Sequence, residues 1–160
     1  MDARADPPEP IPPKAETRGK TIMTDSNATH HFEELFNIGV KAPNIEEELK
    51  FLSAFNPDSI SKVQFGPKEI DAVEMGGVRF FLFPAFSYEG DLPQPHNGGI
   101  GHASFMVDDL DELLADLKEQ GIEPFRGPYE GQLGSLGKRM VAMFRSPNGT
   151  LVSAIPRKGS

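Results

Sequence analysis

Two stretches of the chain carry the apolar spacing of an amphipathic helix. Ile45, Leu49 and Leu52 are four and three residues apart, so a helix would place them on one face. In the second stretch a similar face is formed by Leu110, Leu113, Leu114 and Leu117. Asn44 is suited to cap the first helix. Asp108 and Asp109 form the corner and cap before the second helix, and Gly121 is suited to end it. The spacing therefore predicts two helices, each with its own boundary signals.

Apolar or alternating segments around these helices predict eight strands, so that each half of the chain has the order β-α-β-β-β. The predicted strands are 35–42, 60–66, 70–75, 78–83, 100–107, 122–125, 139–144 and 150–155. Gly76 and Gly77 supply turn chemistry between two of them. Residues 127–138 are rich in glycine and are predicted to form a loop. A mobile flap and a plain connection are both consistent with that composition.

The two halves repeat one layout. Residues 37–52 resemble residues 102–117, and residues 76–84 resemble residues 148–156. A duplicated unit tends to place its binding site where the copies meet. The predicted division is a disordered N-terminal tail (1–31), a first module (32–87), a linker (88–99), a second module (100–156) and a frayed C-terminus (157–160). Because Met23 is a possible start, it stays open whether residues 1–22 belong to the native protein.

Composition excludes several functional classes. The net charge is −8, which disfavours binding to nucleic acid or to an anionic membrane surface. The chain has no cysteine, so disulfides and thiolate chemistry are excluded. No apolar run reaches the length of a membrane span, and the N-terminus lacks the apolar core of a signal peptide. A cytoplasmic protein that binds neither nucleic acid nor membrane is expected.

Two segments of the second half are similar to a known superfamily. They read GHASFMVDDLDELLADLKEQGIEP and FRSPNGTLVSAIP. Together with the repeated layout, they resemble the vicinal oxygen chelate superfamily, which includes glyoxalases, methylmalonyl-CoA epimerases, dioxygenases and bleomycin-binding proteins. The resemblance implies an α+β fold in which two βαβββ modules form a cup-like curved mixed sheet with helices on its outer face. It also implies a small-molecule cavity and a homodimer, and leaves open whether modules pair within or between chains.

The resemblance further implies where a metal would bind. In the metal enzymes of the superfamily, ligands come from equivalent positions on the first and last strands of each module, usually as histidine and glutamate. The corresponding residues here are Asn37, His102, Phe81 and Ser153. A catalytic divalent metal needs about three good N or O ligands, and only His102 is a standard one. No cofactor is therefore expected, and any divalent metal that did bind would use His102 and Asn37.

Strand alternation indicates which side chains face the cup. The predicted ligand-contacting residues are Asn37, Lys41, Phe81, Phe83, His102, Met106 and Ser153. Some of them have plainer explanations. His102 can be a core histidine satisfied by a hydrogen bond, Lys41 can reach solvent instead of an anionic ligand, and Ser153 can bond to the backbone.

Three functions follow from these residues. The first is a small-molecule-binding protein of the glyoxalase/bleomycin-resistance type, without the usual catalytic metal, that holds an apolar or aromatic ligand between its modules. The second is an isomerase, epimerase or lyase in which His102 is the catalytic general acid and base. The third is a metal-dependent glyoxalase-like enzyme with atypical ligands.

Overall fold

The computed structural model describes residues 32–159, so the predicted N-terminal tail and Ser160 lie outside the described residues. The strands and α-helices are β1 (Glu34–Lys41), α1 (Ile45–Ser53), β2 (Ser59–Phe65), β3 (Lys68–Met75), β4 (Val78–Phe83), β5 (Gly99–Val107), α2 (Leu110–Glu119), β6 (Arg126–Gln132), β7 (Lys138–Arg145) and β8 (Leu151–Pro156). Short 3-10 helices span Glu89–Asp91 and Gly134–Leu136. Neither α-helix of the described range is long and apolar enough to cross a membrane.

All eight strands belong to one mixed sheet with the order β2-β3-β4-β1-β5-β8-β7-β6. In each half the first strand pairs in parallel with the last, as β1 with β4 and β5 with β8. The halves join through β1 and β5, which run antiparallel within one chain. The predicted α+β class, with two βαβββ modules in a curved mixed sheet, is confirmed. The modules pair within the chain.

The register at the joint shows an internal twofold relation. Asn37 pairs with Ser104, and Gly39 pairs with His102. The twofold relates Asn37 to His102 and Gly39 to Ser104, so it carries each of these two pairs onto the other. The neighbouring parallel strands follow the same relation, with the pairs Gly39–Phe81 and Ser104–Ser153. The register thus agrees with the equivalence inferred from the sequence repeat.

Both helices begin where the sequence predicts and cover the outer face of the sheet. The side chain of Asn44 accepts a hydrogen bond from the amide of Glu47 (3.2 Å), and Asp109 accepts one from Glu112 (3.0 Å). The buried residues between α1 and the sheet are Leu52, Val40, Val73 and Leu82. Those beneath α2 are Val107, Leu110, Leu113, Ala142, Phe144 and Ala154. Covering this face leaves the opposite, concave face free to form a site.

The strand predicted at 122–125 and the loop predicted at 127–138 were wrong. The structure instead has β6 over Arg126–Gln132, paired with β7 alone at the edge of the sheet. Pro128 lacks an amide hydrogen, which an edge strand tolerates, and a register shift before Tyr129 accommodates the irregular backbone. The glycines and the proline at the start of this segment belong to an irregular edge strand and not to a loop.

The segment that follows β6 joins the two edges of the sheet. Leu133 forms a β-bridge with Phe65 at the end of β2. The amide of Gly66 also donates to the carbonyl of Gln132, at 3.1 Å. These contacts tie the end of β6 to the end of β2, so the segment connects the two edges of the sheet.

Candidate ligand-binding site

The concave face of the sheet encloses a cavity of about 240 Å³ to which both modules contribute. Its lining residues are Asn37, Phe65, Lys68, Ile70, Phe83, Pro84, Ala85, Phe86, Ser87, Tyr88, His102, Ser104, Tyr129, Gly131, Leu133, Val141, Met143, Ser153 and Ile155. Apolar and aromatic side chains dominate this set, and the polar members come mainly from the central strands. The cavity therefore lies at the joint between the repeated units.

Three polar side chains form the floor of the cavity. Asn37, Ser104 and Ser153 lie side by side on β1, β5 and β8, and their exposed fractions are 4%, 3% and 3%. Within residues 32–159 no hydrogen bond joins any of the three side chains to another protein group, and all three line the cavity. Buried polar groups are normally paired. The hydrogen-bonding capacity of this polar floor is therefore directed at whatever occupies the cavity.

His102 stands beside the polar floor and is held by Tyr88. The hydroxyl oxygen of Tyr88 lies 2.7 Å from Nδ1 of the imidazole. Phe86 stacks on Tyr88 with ring centroids 4.9 Å apart and presents its ring at an angle to His102. Two glycines make room for this arrangement: a Cβ at Gly39 would overlap the imidazole, and one at Gly101 would overlap the Phe86 ring.

Burial keeps both members of this pair uncharged at neutral pH. Desolvation lowers the pKa of His102 to about 4, and the nearby His96 acts in the same direction. Desolvation likewise raises the pKa of the Tyr88 hydroxyl. A histidine with this pKa is a neutral hydrogen-bonding group and a weak base.

A segment between the modules, residues 84–91, places Phe86 and Tyr88 against the imidazole. Glu89 anchors it, because one carboxylate oxygen accepts from Nζ of Lys41 and the other from the amide of Phe86, both at 2.8 Å. The hydrogen bond from Lys41 also holds the pKa of Glu89 below its usual value. At the far end Asp91 pairs with Arg126 of β6. Residues that the sequence analysis divided between a module and a linker thus form part of the site.

Aromatic rings form one wall of the cavity. The members of this aromatic wall are Phe65, Phe83, Phe86 and Tyr129. Phe83 is central, with ring centroids 5.3 Å from Phe65 and 5.7 Å from Phe86. Tyr129 comes from β6, and the guanidinium of Arg126 lies 5.2 Å from its ring centroid. Burial raises the pKa of the Tyr129 hydroxyl. The wall offers flat apolar surfaces, whereas the floor offers hydrogen bonds.

The structure brings together four of the residues predicted to contact a ligand, and sets three apart. The four that line the cavity are Asn37, Phe83, His102 and Ser153. Phe81 and Met106 are each 4% exposed and lie behind the lining, where Phe81 packs edge-on against Phe36. Lys41 lies outside the lining, where it pairs with Glu89 and is 13% exposed. It therefore contacts neither the cavity nor bulk solvent, the two alternatives that the sequence left open.

Tyr88 and Tyr129 were missed as site residues. They are the only tyrosines in the sequence, and both line the cavity. A tyrosine near a predicted site is a useful signal, because its ring supplies apolar contact and its hydroxyl needs a partner when buried. Neither tyrosine lies in a predicted strand, since Tyr88 is in the predicted linker and Tyr129 in the predicted loop, so strand alternation does not assign them to the cup.

The donor set does not fit the metal site of the superfamily. The four equivalent positions supply one imidazole, one amide, one hydroxyl and the phenyl ring of Phe81. Nδ1 of His102 is already bonded to Tyr88, and Phe81 is packed among other rings. In the described part of the chain, no three His, Cys, Asp or Glu side chains are grouped closely enough to hold a metal ion. The groups that face the cavity near His102 are an amide, two hydroxyls and aromatic rings.

Comparison with known proteins supports the fold. No protein-family model and no curated protein matches the sequence. Among solved structures, a hypothetical protein from Bacillus halodurans has 20% identity and a TM-score of 0.58, over 82% of this chain and 97% of that one. A methylmalonyl-CoA epimerase from Mycobacterium tuberculosis has 13% identity and a TM-score of 0.54, over 76% and 86%.

A second methylmalonyl-CoA epimerase, from Streptomyces coelicolor, has 14% identity and a TM-score of 0.51, over 77% of this chain and 93% of that one. Identities this low bear on architecture alone. The chain has the fold of the vicinal oxygen chelate proteins, as the sequence resemblance predicted.

Proposed function

We propose that this protein binds a small apolar or aromatic molecule in the cavity between its modules, without the divalent metal used by enzymes of the same fold. The observation that carries the proposal is an aromatic wall facing a buried polar floor whose side chains have no partner in the described chain. Of the predicted contact residues, Asn37, Phe83, His102 and Ser153 would touch the ligand. Phe81 and Met106 would support the lining from behind.

The size of the cavity supports a single-ring ligand. An apolar cavity of roughly 150 Å³ can hold benzene, and pockets for drug-sized molecules begin at roughly 300 Å³. The volume of about 240 Å³ found here lies between these values. A substituted benzene ring therefore fits better than a large cofactor-like molecule.

Binding is favoured over proton-transfer catalysis by the state of His102. A general base works best when its pKa is near the working pH. Burial lowers the pKa of His102 to about 4, so at neutral pH the imidazole has little tendency to take a proton. Its unpartnered Nε2 beside the cavity keeps an isomerase, epimerase or lyase as the second candidate. Turnover that is abolished by His102→Ala would favour that candidate.

The test is an NMR titration of the metal-free protein with toluene, followed through backbone amide shifts. Saturable changes at residues lining the cavity are expected, and they should be unaffected by a chelator. Ser153→Leu, which places a larger side chain in the floor, should abolish binding. Ser61→Leu, an exposed position on β2, should leave binding unchanged. Equal binding to the Ser153→Leu protein, or a stoichiometric metal that is lost in His102→Ala, would contradict the proposal.

A homodimer and a cytoplasmic location, both expected from the sequence, belong to the same proposal. Large apolar side chains exposed on the single chain support self-association, among them Phe51 (60%) and Phe55 (61%). Light scattering of the purified protein tests the dimer, and fractionation of cells tests the location. A monomer at micromolar concentration would remove the first of these expectations.

A further inference from the structure

The hydrogen bond between Tyr88 and His102 favours one position for the proton on the imidazole ring. In the neutral ring one nitrogen donates and the other accepts. The Tyr88 hydroxyl is buried, and across the described residues it has no partner other than Nδ1. If Nδ1 carried the proton, both the hydroxyl hydrogen and the Nε2 lone pair would lack a protein partner, whereas with the proton on Nε2 only that one N–H lacks a partner. The hydroxyl therefore donates to Nδ1, and the imidazole proton lies on Nε2.

Nε2 is consequently a hydrogen-bond donor without a protein acceptor. The ring of His102 lines the cavity, and Nε2 makes no hydrogen bond to any residue in 32–159. Gly39 lies directly under the ring and, having no side chain, leaves it in place. A fixed donor of this kind fits a carbonyl oxygen, which accepts hydrogen bonds near its own plane.

The other polar groups at the floor of the cavity are neutral. The amide of Asn37 and the hydroxyls of Ser104 and Ser153 can each donate and accept. Lys68 is the only charged side chain in the described lining, and it is exposed, whereas the three floor side chains are almost fully buried. A charged ligand group would therefore lose its hydration at the floor without gaining an opposite charge there.

We infer that the cavity selects an uncharged single-ring aromatic compound bearing a carbonyl group, whose oxygen accepts a hydrogen bond from Nε2 of His102 while its other polar atoms meet Asn37, Ser104 and Ser153. This inference rests on the proposed binding function and adds the chemical class of the ligand. A primary aromatic amide has the required pattern, because its carbonyl accepts and its amino group donates. Aromatic carboxylates of the same shape are disfavoured by their charge.

The experiment compares three probes of similar shape with wild-type protein and with His102→Phe. Toluene reports on ring binding alone, benzamide adds a neutral carbonyl, and benzoate replaces it with a charge. At neutral pH we expect benzamide to bind at least about tenfold more tightly than benzoate. His102→Phe should weaken benzamide binding roughly 10- to 100-fold, because the Nε2–H donor is lost. The quantity compared is the ratio of benzamide affinity to toluene affinity, which should fall in His102→Phe because toluene makes no hydrogen bond to Nε2.

The toluene arm separates failure of the inference from failure of the proposed function. If toluene does not bind, the proposed function is wrong. If toluene binds but the affinity for benzoate equals or exceeds that for benzamide, the inference is wrong. Loss of benzoate binding in Lys68→Met would then assign the preference for a charged ligand to Lys68 at the rim of the cavity. Nitrogen-15 NMR of the histidine ring gives an independent reading. A protonated Nε2 with an unprotonated Nδ1 supports the assigned tautomer of His102, and the reverse pattern overturns it.

Discussion

Replacing His102 with glutamine is expected to remove a pH dependence from the stability of the protein. In the folded state burial lowers the pKa of this imidazole from 6.5 to about 4. Between these two values the unfolded chain takes up a proton at His102 more readily than the folded protein does. Proton uptake then favours unfolding, so the free energy of unfolding falls as the pH is lowered through this window.

The size of the effect follows from the two pKa values. Each pKa unit corresponds to about 1.36 kcal/mol, so a change from 6.5 to about 4 is worth about 3 kcal/mol in all. Stability from this source is fully present above about pH 6.5 and is lost below about pH 4, where both states are protonated. Tyr88 faces the imidazole but stays neutral over this range, and His96 is the other titratable group beside it.

The assay is urea denaturation at a series of pH values between about 7 and 4.5. Carboxylates also titrate here, so the informative quantity is the difference between wild type and His102→Gln. That difference should change by about 2 to 3 kcal/mol across the series. His96→Gln is the comparison variant, and it should change this difference much less than His102→Gln does, because burial is the larger cause of the lowered pKa of His102. Parallel curves for wild type and His102→Gln would refute the reasoning that His102 is buried as a neutral ring.

Three further substitutions test the packing around the site, each by urea or thermal unfolding. Gly39→Ala should destabilise by about 1 to 3 kcal/mol, since its Cβ overlaps the imidazole, while Gly90→Ala, which meets nothing within 4 Å, should stay within about 0.5 kcal/mol. Tyr88→Phe leaves a buried ring nitrogen unpaired and should cost about 1 to 3 kcal/mol; no change would contradict the hydrogen bond. Lys41→Met should lower Tm more than Lys138→Met, because side-chain exposure is 13% at Lys41 and 71% at Lys138; equal effects would argue against the anchoring role.

The features that the sequence predicted well are those set by local periodicity and by the duplication. Helical spacing and the caps at Asn44 and Asp109 located both helices, because these signals act within a few residues. The repeat makes Asn37 and His102 equivalent positions of the two modules. Strand register, which depends on contacts between distant residues, agrees with that equivalence, because Asn37 pairs with Ser104 as His102 pairs with Gly39.

Alternation predicts which face a side chain occupies but not how deep it lies. Phe81 and Phe83 share the concave face, yet only Phe83 reaches the cavity, because Phe36 covers Phe81. Phe36 itself reaches that face through a register shift between Leu35 and Asn37, which places neighbouring residues on the same side. A bulge of this kind leaves no mark in the apolar pattern.

The contribution of Tyr88 could not be predicted from local pattern, because it depends on contacts made far along the chain. Its segment is held by the pair between Lys41 and Glu89, whose members are 48 residues apart. The glycine opposite His102 is the one feature of the sequence that indicates a group packed closely at this point. Gly39 sits in the middle of a strand, where glycine often marks a close approach by another group, and here that group is the imidazole.

The most direct test of the account is a crystal structure of the protein with benzamide. The ring is expected against Phe83 and Tyr129, with its carbonyl oxygen about 3 Å from Nε2 of His102. No metal ion is expected among Asn37, His102 and Ser153. Benzamide bound outside the cavity, or a coordinated metal at those three side chains, would contradict the claim that neutral contacts have replaced the metal site of this fold.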